Sequence, residues 1–266
     1  MHPMLNIASR AARRAGTIIS RAQQRLHDLQ IDRKGHHDYV TQIDRDAEAT
    51  IIETLRTAYP DHAIKAEESG EDGSSDFVWV IDPLDGTLNF MHGYPQFAIS
   101  IALRVKGRLD QGVVYDPMRD EMFTASRGAG AQLNGQKIRV AHCHQLENAL
   151  LGTGFPVREA ATLRAYLPAF SALLARCADV RRAGAAALDL AHVACGRLDG
   201  YWEYGLREWD VAAGALLVQE SGGLVGDPGG GERHLESGDI VAANPRIFRQ
   251  LLTELAQHRR PAASAV

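Results

Sequence analysis

Apolar residues recur every three or four positions from Leu5 through Ala8, Ala12, Ala15, Ile19 and Ala22 to Leu26, with arginines around the remainder. That spacing predicts a helix burying one face. A second helix is predicted from Asp44 to about Tyr59, where Ile51, Ile52 and Leu55 share a face and Tyr59-Pro60-Asp61 closes it. At Phe77 the period changes. Phe-Val-Trp-Val-Ile is a continuous apolar run of buried-strand length, and it stops at Asp82-Pro83. From Phe97 to about Val140, β-rich pieces are joined by Lys106-Gly107, Asp116-Pro117 and Asn134-Gly135, the last a type I′ hairpin signal. This reads as an antiparallel meander. Beyond Leu146 short strands and helices alternate: Ala149–Thr153, Leu163–Ala175, Ala185–Cys195, Gly200–Glu203, Val211–Glu220, Ile240–Ala243 and a helix to Leu255. The fold class expected is mixed α+β and α/β, divided into residues 1–145 and 146–266, with an antiparallel sheet in the first part and a mixed α/β second part.

The 266 residues are 45% hydrophobic and 23% charged, which excludes a disordered or fibrous chain. A formal charge of −4 argues against a nucleic-acid binder held by a basic surface. Arg10, Arg13 and Arg14 interrupt the place of an export-signal core, and Gly86 to Leu103, the longest uncharged stretch, carries too many polar groups to span a bilayer. Cys143, Cys177 and Cys195 are too few and too scattered for a disulfide scaffold or a CxxC zinc site. A reducing, cytoplasmic setting with no membrane attachment is the expectation.

The chemistry concentrates in Val78 to Phe90. A buried strand delivers Asp82 at its carboxyl end, Pro83 turns the chain, and Asp85 follows beside Gly86, so two carboxylates reach one point. Neighbouring anions repel, and a hard divalent cation is the simplest neutralising partner. Gly86 and Thr87 then open a helical turn whose free N–H groups suit a phosphate oxygen. The plain alternative is a loop, since Asp-Pro and Asp-Gly are common turn dipeptides. Glu67-Glu68-Ser69-Gly70 reads by itself as a polar loop, and Glu208-Trp209-Asp210 as a helix start with an N-cap aspartate. His142-Cys143-His144 offers zinc two imidazoles but no further ligand pair, and His36-His37 beside Asp38 reads as a loop tip. Trp79 and Trp209 read as packing wedges behind the aspartates.

Together these segments resemble the inositol monophosphatase family of metal-dependent, lithium-sensitive sugar phosphatases over nearly the whole chain. The likeness rests on Trp79-Val80-Ile81-Asp82-Pro83-Leu84-Asp85-Gly86-Thr87-Leu88-Asn89-Phe90 and on Trp209-Asp210-Val211-Ala212-Ala213-Gly214 followed by Glu220-Ser221-Gly222-Gly223. Arg181 to Leu190 and Gly205 to Asp210 align it with bacterial members. The resemblance implies a layered αβαβα architecture and hydrolysis of myo-inositol 1-phosphate. Fructose 1,6-bisphosphate, histidinol phosphate and adenosine 3′,5′-bisphosphate are the alternatives. It implies two to three Mg²⁺ ions per subunit. Glu67, Asp82 and the Leu84 carbonyl would hold one; Asp82, Asp85 and Asp210 would hold another; a third would lie near Glu67. Asp44 and Thr87, counted with Glu67 as catalytic, would orient and deprotonate the attacking water. Gly86, Thr87, Ala186, Glu203 and Asp210 would contact substrate. The family's mobile-loop base falls near Lys34, in a segment one residue shorter than the form compared. The family is commonly dimeric, and its bacterial members are linked to transcription antitermination, so a homodimer and antitermination proteins are the implied partners.

Overall fold

The computed structural model describes residues 2–26, 31–35, 38–157 and 160–258, with the backbone alone for 31–35 and 38–40. The first half runs α1 (Pro3–Gln23), β1 (Ile31–Gly35), β2 (Asp38–Thr41), α2 (Gln42–Ala58), β3 (Ala63–Ala66), β4 (Gly70–Asp72), β5 (Phe77–Asp85), α3 (Thr87–Met91), β6 (Ala98–Val105), β7 (Arg108–Asp116), β8 (Glu121–Ser126), β9 (Gly130–Leu133) and β10 (Gln136–Lys137). The second half runs β11 (Leu150–Thr153), α4 (Ala160–Leu174), β12 (Asp179–Arg181), α5 (Ala186–Ala194), β13 (Gly200–Glu203), α6 (Glu208–Glu220), β14 (Leu224–Gly226), α7 (His234–Ser237), β15 (Ile240–Ala243) and α8 (Pro245–Gln257).

Strands β3 to β10 form one sheet, ordered β10-β9-β8-β7-β6-β5-β3-β4, and β11 to β15 a second, ordered β12-β11-β13-β15-β14. Alternation along the strands assigns each face. Trp79 and Ile81 of β5 face α1 and α2, whereas Val80 joins Val114 and Phe123 against α5 and α6. In the second sheet Tyr201 and Ala242 face the same α5/α6 layer, and Trp202, Val241 and Ala243 face α4 and α8. Five layers result: helices, sheet, helices, sheet, helices. This is the αβαβα arrangement implied by the resemblance, and it explains why α5 and α6 are buried on nearly every side.

Local chemistry sets the elements. Pro3 opens α1, and its buried face is mostly alanine, so the helix lies close on the sheet; a Cβ at Gly16 would come within 2.5 Å of the Tyr115 ring. Helix α2 starts at Gln42, two residues before the expected Asp44, because Thr41 caps it. Lys106-Gly107 and Asn134-Gly135 both adopt positive φ at both positions, the geometry of two-residue type I′ hairpins. The expected meander is therefore present. Strands β3, β4, β12 and β14 carried no signal in the sequence pattern; each has only three or four residues.

Candidate active site

Strand β5 pairs with β3 on one side and β6 on the other. Its register against β6 slips between Asp82 and Asp85, which face Ser100 and Ala98 respectively, so an extra residue bulges there. Pro83 occupies that bulge, where its missing N–H costs no ladder bond. The Leu84 N–H turns back to Asp82 Oδ1 at 2.9 Å. Gly86 then takes φ 91°, and a Cβ there would press within 2.9 Å of the Gln96 carbonyl oxygen. The strand thus ends with Asp82 and Asp85 at the rim of a cleft of about 520 Å³, which opens α3 at Thr87.

Other elements bring the remaining acids to the same cleft. Glu67 lies in the tight turn between β3 and β4 and is not part of an open loop; its N–H donates to the Ile81 carbonyl at 3.1 Å. Asp210 is the third residue of α6 and not its N-cap; its Oδ2 accepts the Arg207 N–H at 2.7 Å. Asp85 Oδ2 accepts the Ala187 N–H at 2.7 Å in the first turn of α5. Glu67, Asp82, Leu84, Asp85, Gly86, Thr87, Ala186, Glu203 and Asp210, all expected in the site, line this one cleft. Asp44 stands behind Thr87: Thr87 Oγ1 lies 3.1 Å from Asp44 Oδ1, and Asp44 Oδ2 accepts the Thr41 N–H and hydroxyl at 2.8 and 2.6 Å. Lys34 has its backbone in β1, but its side chain, like His36 and His37, lies outside the described residues.

The electrostatics follow from crowding. Burial, and after it the charges of Glu67, Asp85 and Asp210, push the Asp82 carboxyl well above the ordinary carboxylate range, and Asp82 shares a hydrogen bond with Glu67. Burial and Asp210 raise Asp85 likewise, against the Ala187 N–H. Burial also raises Asp44, despite its bonds from Thr41 and Thr87. Two carboxyl groups hydrogen-bond only if a proton sits between them, so the acids here are short of positive charge. Among the described residues no three Asp, Glu, His or Cys side chains are already closed into a cage. The donor set is nonetheless all oxygen: carboxylates plus a carbonyl. It fits a hard cation such as Mg²⁺ and would draw in on it.

Several supports had escaped the sequence reading. Glu48, buried on α2 one turn after Asp44, accepts the Glu68 and Ser69 N–H groups at 2.8 Å each and so pins the Glu67 turn. Its signal was present, since Asp44 and Glu48 share a helix face at i and i+4. Glu208 joins Lys65 of β3 at 3.1 Å and Arg104 of β6 at 2.5 Å, fixing the start of α6 beside Asp210. Asn89 Nδ2 donates to the Gln96 and Ala183 carbonyls at 2.7 and 2.9 Å, tying α3 to the approach to α5. Asp189, buried on α5, is raised well above its usual range by burial and by Glu203. Tyr201 donates its hydroxyl to Glu203. Trp79 is fully buried and Trp209 packs on the α5/α6 core, as wedges should. His142, Cys143 and His144 lie on an irregular segment, where Asn244 Nδ2 donates to the Cys143 carbonyl at 2.9 Å.

A profile of the inositol monophosphatase family matches residues 1–261. The chain belongs to the inositol monophosphatase family. It is 57% identical to the Nus factor SuhB of Pseudomonas aeruginosa over 98% of both chains, and 52% identical to the Nus factor SuhB of Escherichia coli over 96% of both. Among solved structures it resembles the extragenic suppressor protein suhB of Bartonella henselae, with a TM-score of 0.93 and 42% identity over 96% of this chain and 98% of that one. It also resembles the inositol monophosphatase of Anabaena, with a TM-score of 0.83 and 39% identity over 98% of both chains. Membership makes the chain a phosphatase-family member of mixed α/β fold. No described helix is long and apolar enough to cross a membrane.

Proposed function

We propose that the protein hydrolyses the phosphate monoester of a small polyol, with myo-inositol 1-phosphate preferred and Mg²⁺ as cofactor. The observation that carries this reading is the convergence of Glu67, Asp82, Asp85 and Asp210 on one cleft that also holds Thr87 and Glu203. Glu67, Asp82, the Leu84 carbonyl, Asp85 and Asp210 would hold two or three ions. When bound, Mg²⁺ supplies Lewis acidity to the phosphoryl oxygens and charge compensation during displacement.

The chain's own groups supply orientation and a proton path. The Thr87 hydroxyl has one proton and two acceptors in reach, the Leu84 carbonyl at 3.0 Å and Asp44 Oδ1 at 3.1 Å. Donating to Asp44 leaves its lone pairs facing the cleft, able to accept a proton from water and pass its own to the carboxylate. The capping bonds from Thr41 occupy Asp44 Oδ2 and so reserve Oδ1 for this exchange. Glu203 would accept hydrogen bonds from vicinal hydroxyls of the leaving group, with Ala186 leaving room for the ring. Phosphate release from myo-inositol 1-phosphate, fructose 1,6-bisphosphate, histidinol phosphate and adenosine 3′,5′-bisphosphate, with and without Mg²⁺, tests the reading. About a tenfold higher kcat/KM on another of the four would reject inositol phosphate as the natural substrate.

A second reading is favoured by the name Nus factor carried by close relatives: the chain also serves as a partner of transcription-antitermination proteins. A phosphatase-dead Asp85→Asn variant that rescues a deletion phenotype supports it; failure to rescue assigns the phenotype to chemistry. A homodimer and a cytoplasmic setting complete the proposal.

A further inference from the structure

A second concavity, about 570 Å³ in volume, lies between the exposed face of α1 and the β8–β9 end of the larger sheet, and it shares no lining residue with the catalytic cleft. Arg10, Arg13 and Arg14 line it at i, i+3 and i+4, the spacing that places side chains on one helix face. Two of the three are partly committed. Arg13 Nη1 donates to Asp120 Oδ1 at 2.7 Å, and Arg14 donates to Thr54 Oγ1 at 2.6 Å and Glu53 Oε2 at 2.9 Å. Arg10 has no partner among the described residues. Thr124 also lines the concavity, only 3% exposed, and its hydroxyl has no hydrogen-bond partner among the described residues. Ser9 Oγ, on the α1 wall, is buried and equally unpartnered. Met122 and the arginine stems supply apolar wall.

The exposed guanidinium of Arg10 and the hydroxyl of the buried Thr124, neither engaged among the described residues, can both donate to an acceptor that enters the concavity. With Asp120 and Glu53 each answering one arginine, a single positive charge stays uncompensated. That balance suits one oxyanion group and disfavours an RNA strand, which two flanking acids would repel. The volume falls in the range of about 300–1,000 Å³ typical of small-molecule sites. We infer that this concavity is a binding site for a small organic anion, whose carboxylate or phosphate group sits against Arg10, Arg13 and the Thr124 hydroxyl while its body rests on Met122.

The test follows arginine Nε–H signals of the full-length, Mg²⁺-loaded protein by NMR at constant ionic strength. Inorganic phosphate and succinate are the two probes, and they separate a phosphate from a carboxylate source. Arg10 and Arg13 signals should shift saturably with at least one probe, with half-saturation at about 1 mM or tighter. Arg10→Gln should weaken that binding about tenfold, the loss of a charge-assisted hydrogen bond. Thr124→Val should weaken it by a smaller factor, with thermal unfolding confirming that both variants fold. Shifts that stay linear up to about 50 mM, as simple screening gives, would overturn the site, as would undiminished binding in Arg10→Gln. Shifts seen only with a hexaglutamate peptide would also overturn it, in favour of an acidic protein segment.

Discussion

Gly154 follows β11 directly, and a Cβ built there would lie 1.9 Å from Glu203 Cδ and Oε1. Its φ is not in the left-handed region, so alanine can adopt the same backbone, and the group nearest to the added methyl is the Glu203 carboxylate. Thr153 holds the strand end in place through its hydroxyl to the Trp202 carbonyl at 2.8 Å. The carboxylate must therefore be the part that moves. Gly154→Ala tests the role of Glu203 without removing a charge from the cleft. If Glu203 accepts a hydroxyl of the leaving group, losing one hydrogen bond to a charged acceptor costs about 1.5–3 kcal/mol, or roughly 10- to 150-fold in kcat/KM. The assay compares myo-inositol 1-phosphate with p-nitrophenyl phosphate, whose leaving group offers no vicinal hydroxyls. The first should fall by that factor and the second should change no more than about threefold. Equal losses on both substrates, or none on either, would remove Glu203 from substrate recognition.

Asp210→Asn should nearly abolish turnover at saturating Mg²⁺ and leave the circular dichroism spectrum unchanged; wild-type activity in that variant would refute its role as a ligand. Glu48→Gln keeps one acceptor for the Glu68 and Ser69 N–H groups and sets an amide against the other, so urea unfolding should show a loss of about 2 kcal/mol together with weaker Mg²⁺ activation. Burial, and then the Arg197 charge, lower the His192 pKa from 6.5 to about 4. The unfolded chain therefore takes up a proton across that interval while the folded chain does not. Stability from this group is complete above pH 6.5 and lost as pH falls toward 4, by roughly 3 kcal/mol. His192→Leu should flatten that part of the pH–stability curve, and an unchanged slope would show that another group is responsible.

The long elements were legible because their periods are unambiguous: the alanine face of α1, the apolar run of β5 and the Asn134-Gly135 turn each leave one reading. The short strands were not. Asp179–Arg181 and Leu224–Gly226 are three residues each, shorter than any alternation can register, and they exist because a neighbouring strand offers them a ladder. The cleft residues were legible one motif at a time, as Asp82 to Thr87 and Glu208 to Asp210. Their support was hidden because it depends on partners far away in the chain: Glu48 meets Glu68 and Ser69, Glu208 meets Lys65 and Arg104, and Asn89 meets Ala183. Asp210 was misplaced by three positions on its helix for the same reason. Only the structure shows that the first turn of α6 begins at Glu208 and that Arg207 is its cap.

Gathering carboxylates in one cleft is costly, since two unit charges 4 Å apart interact by about 4 kcal/mol at an effective dielectric constant of 20. The fold offsets part of this with helix ends. Asp44 lies in the first turn of α2 and Asp210 in the first turn of α6, and Asp85 accepts an N–H from the first turn of α5. A helix N-terminus carries roughly half a positive charge, so each of these three aspartates has local compensation. Asp82 and Glu67 have none of that kind: one ends a strand and the other sits in a strand turn, and they meet in a hydrogen bond that requires a proton. The unmet charge is thus concentrated at that pair. A cation entering there must displace the proton, and Mg²⁺ binding should release protons to solvent. Calorimetric titration with Mg²⁺ in two buffers of different ionisation enthalpy measures the number released, and that number should shrink as pH rises through the folded-state value of Asp82. The apparent affinity for Mg²⁺ should climb over the same interval. Binding that releases no proton at any pH up to neutrality would mean that Asp82 and Glu67 are both ionised before the cation arrives and share no proton.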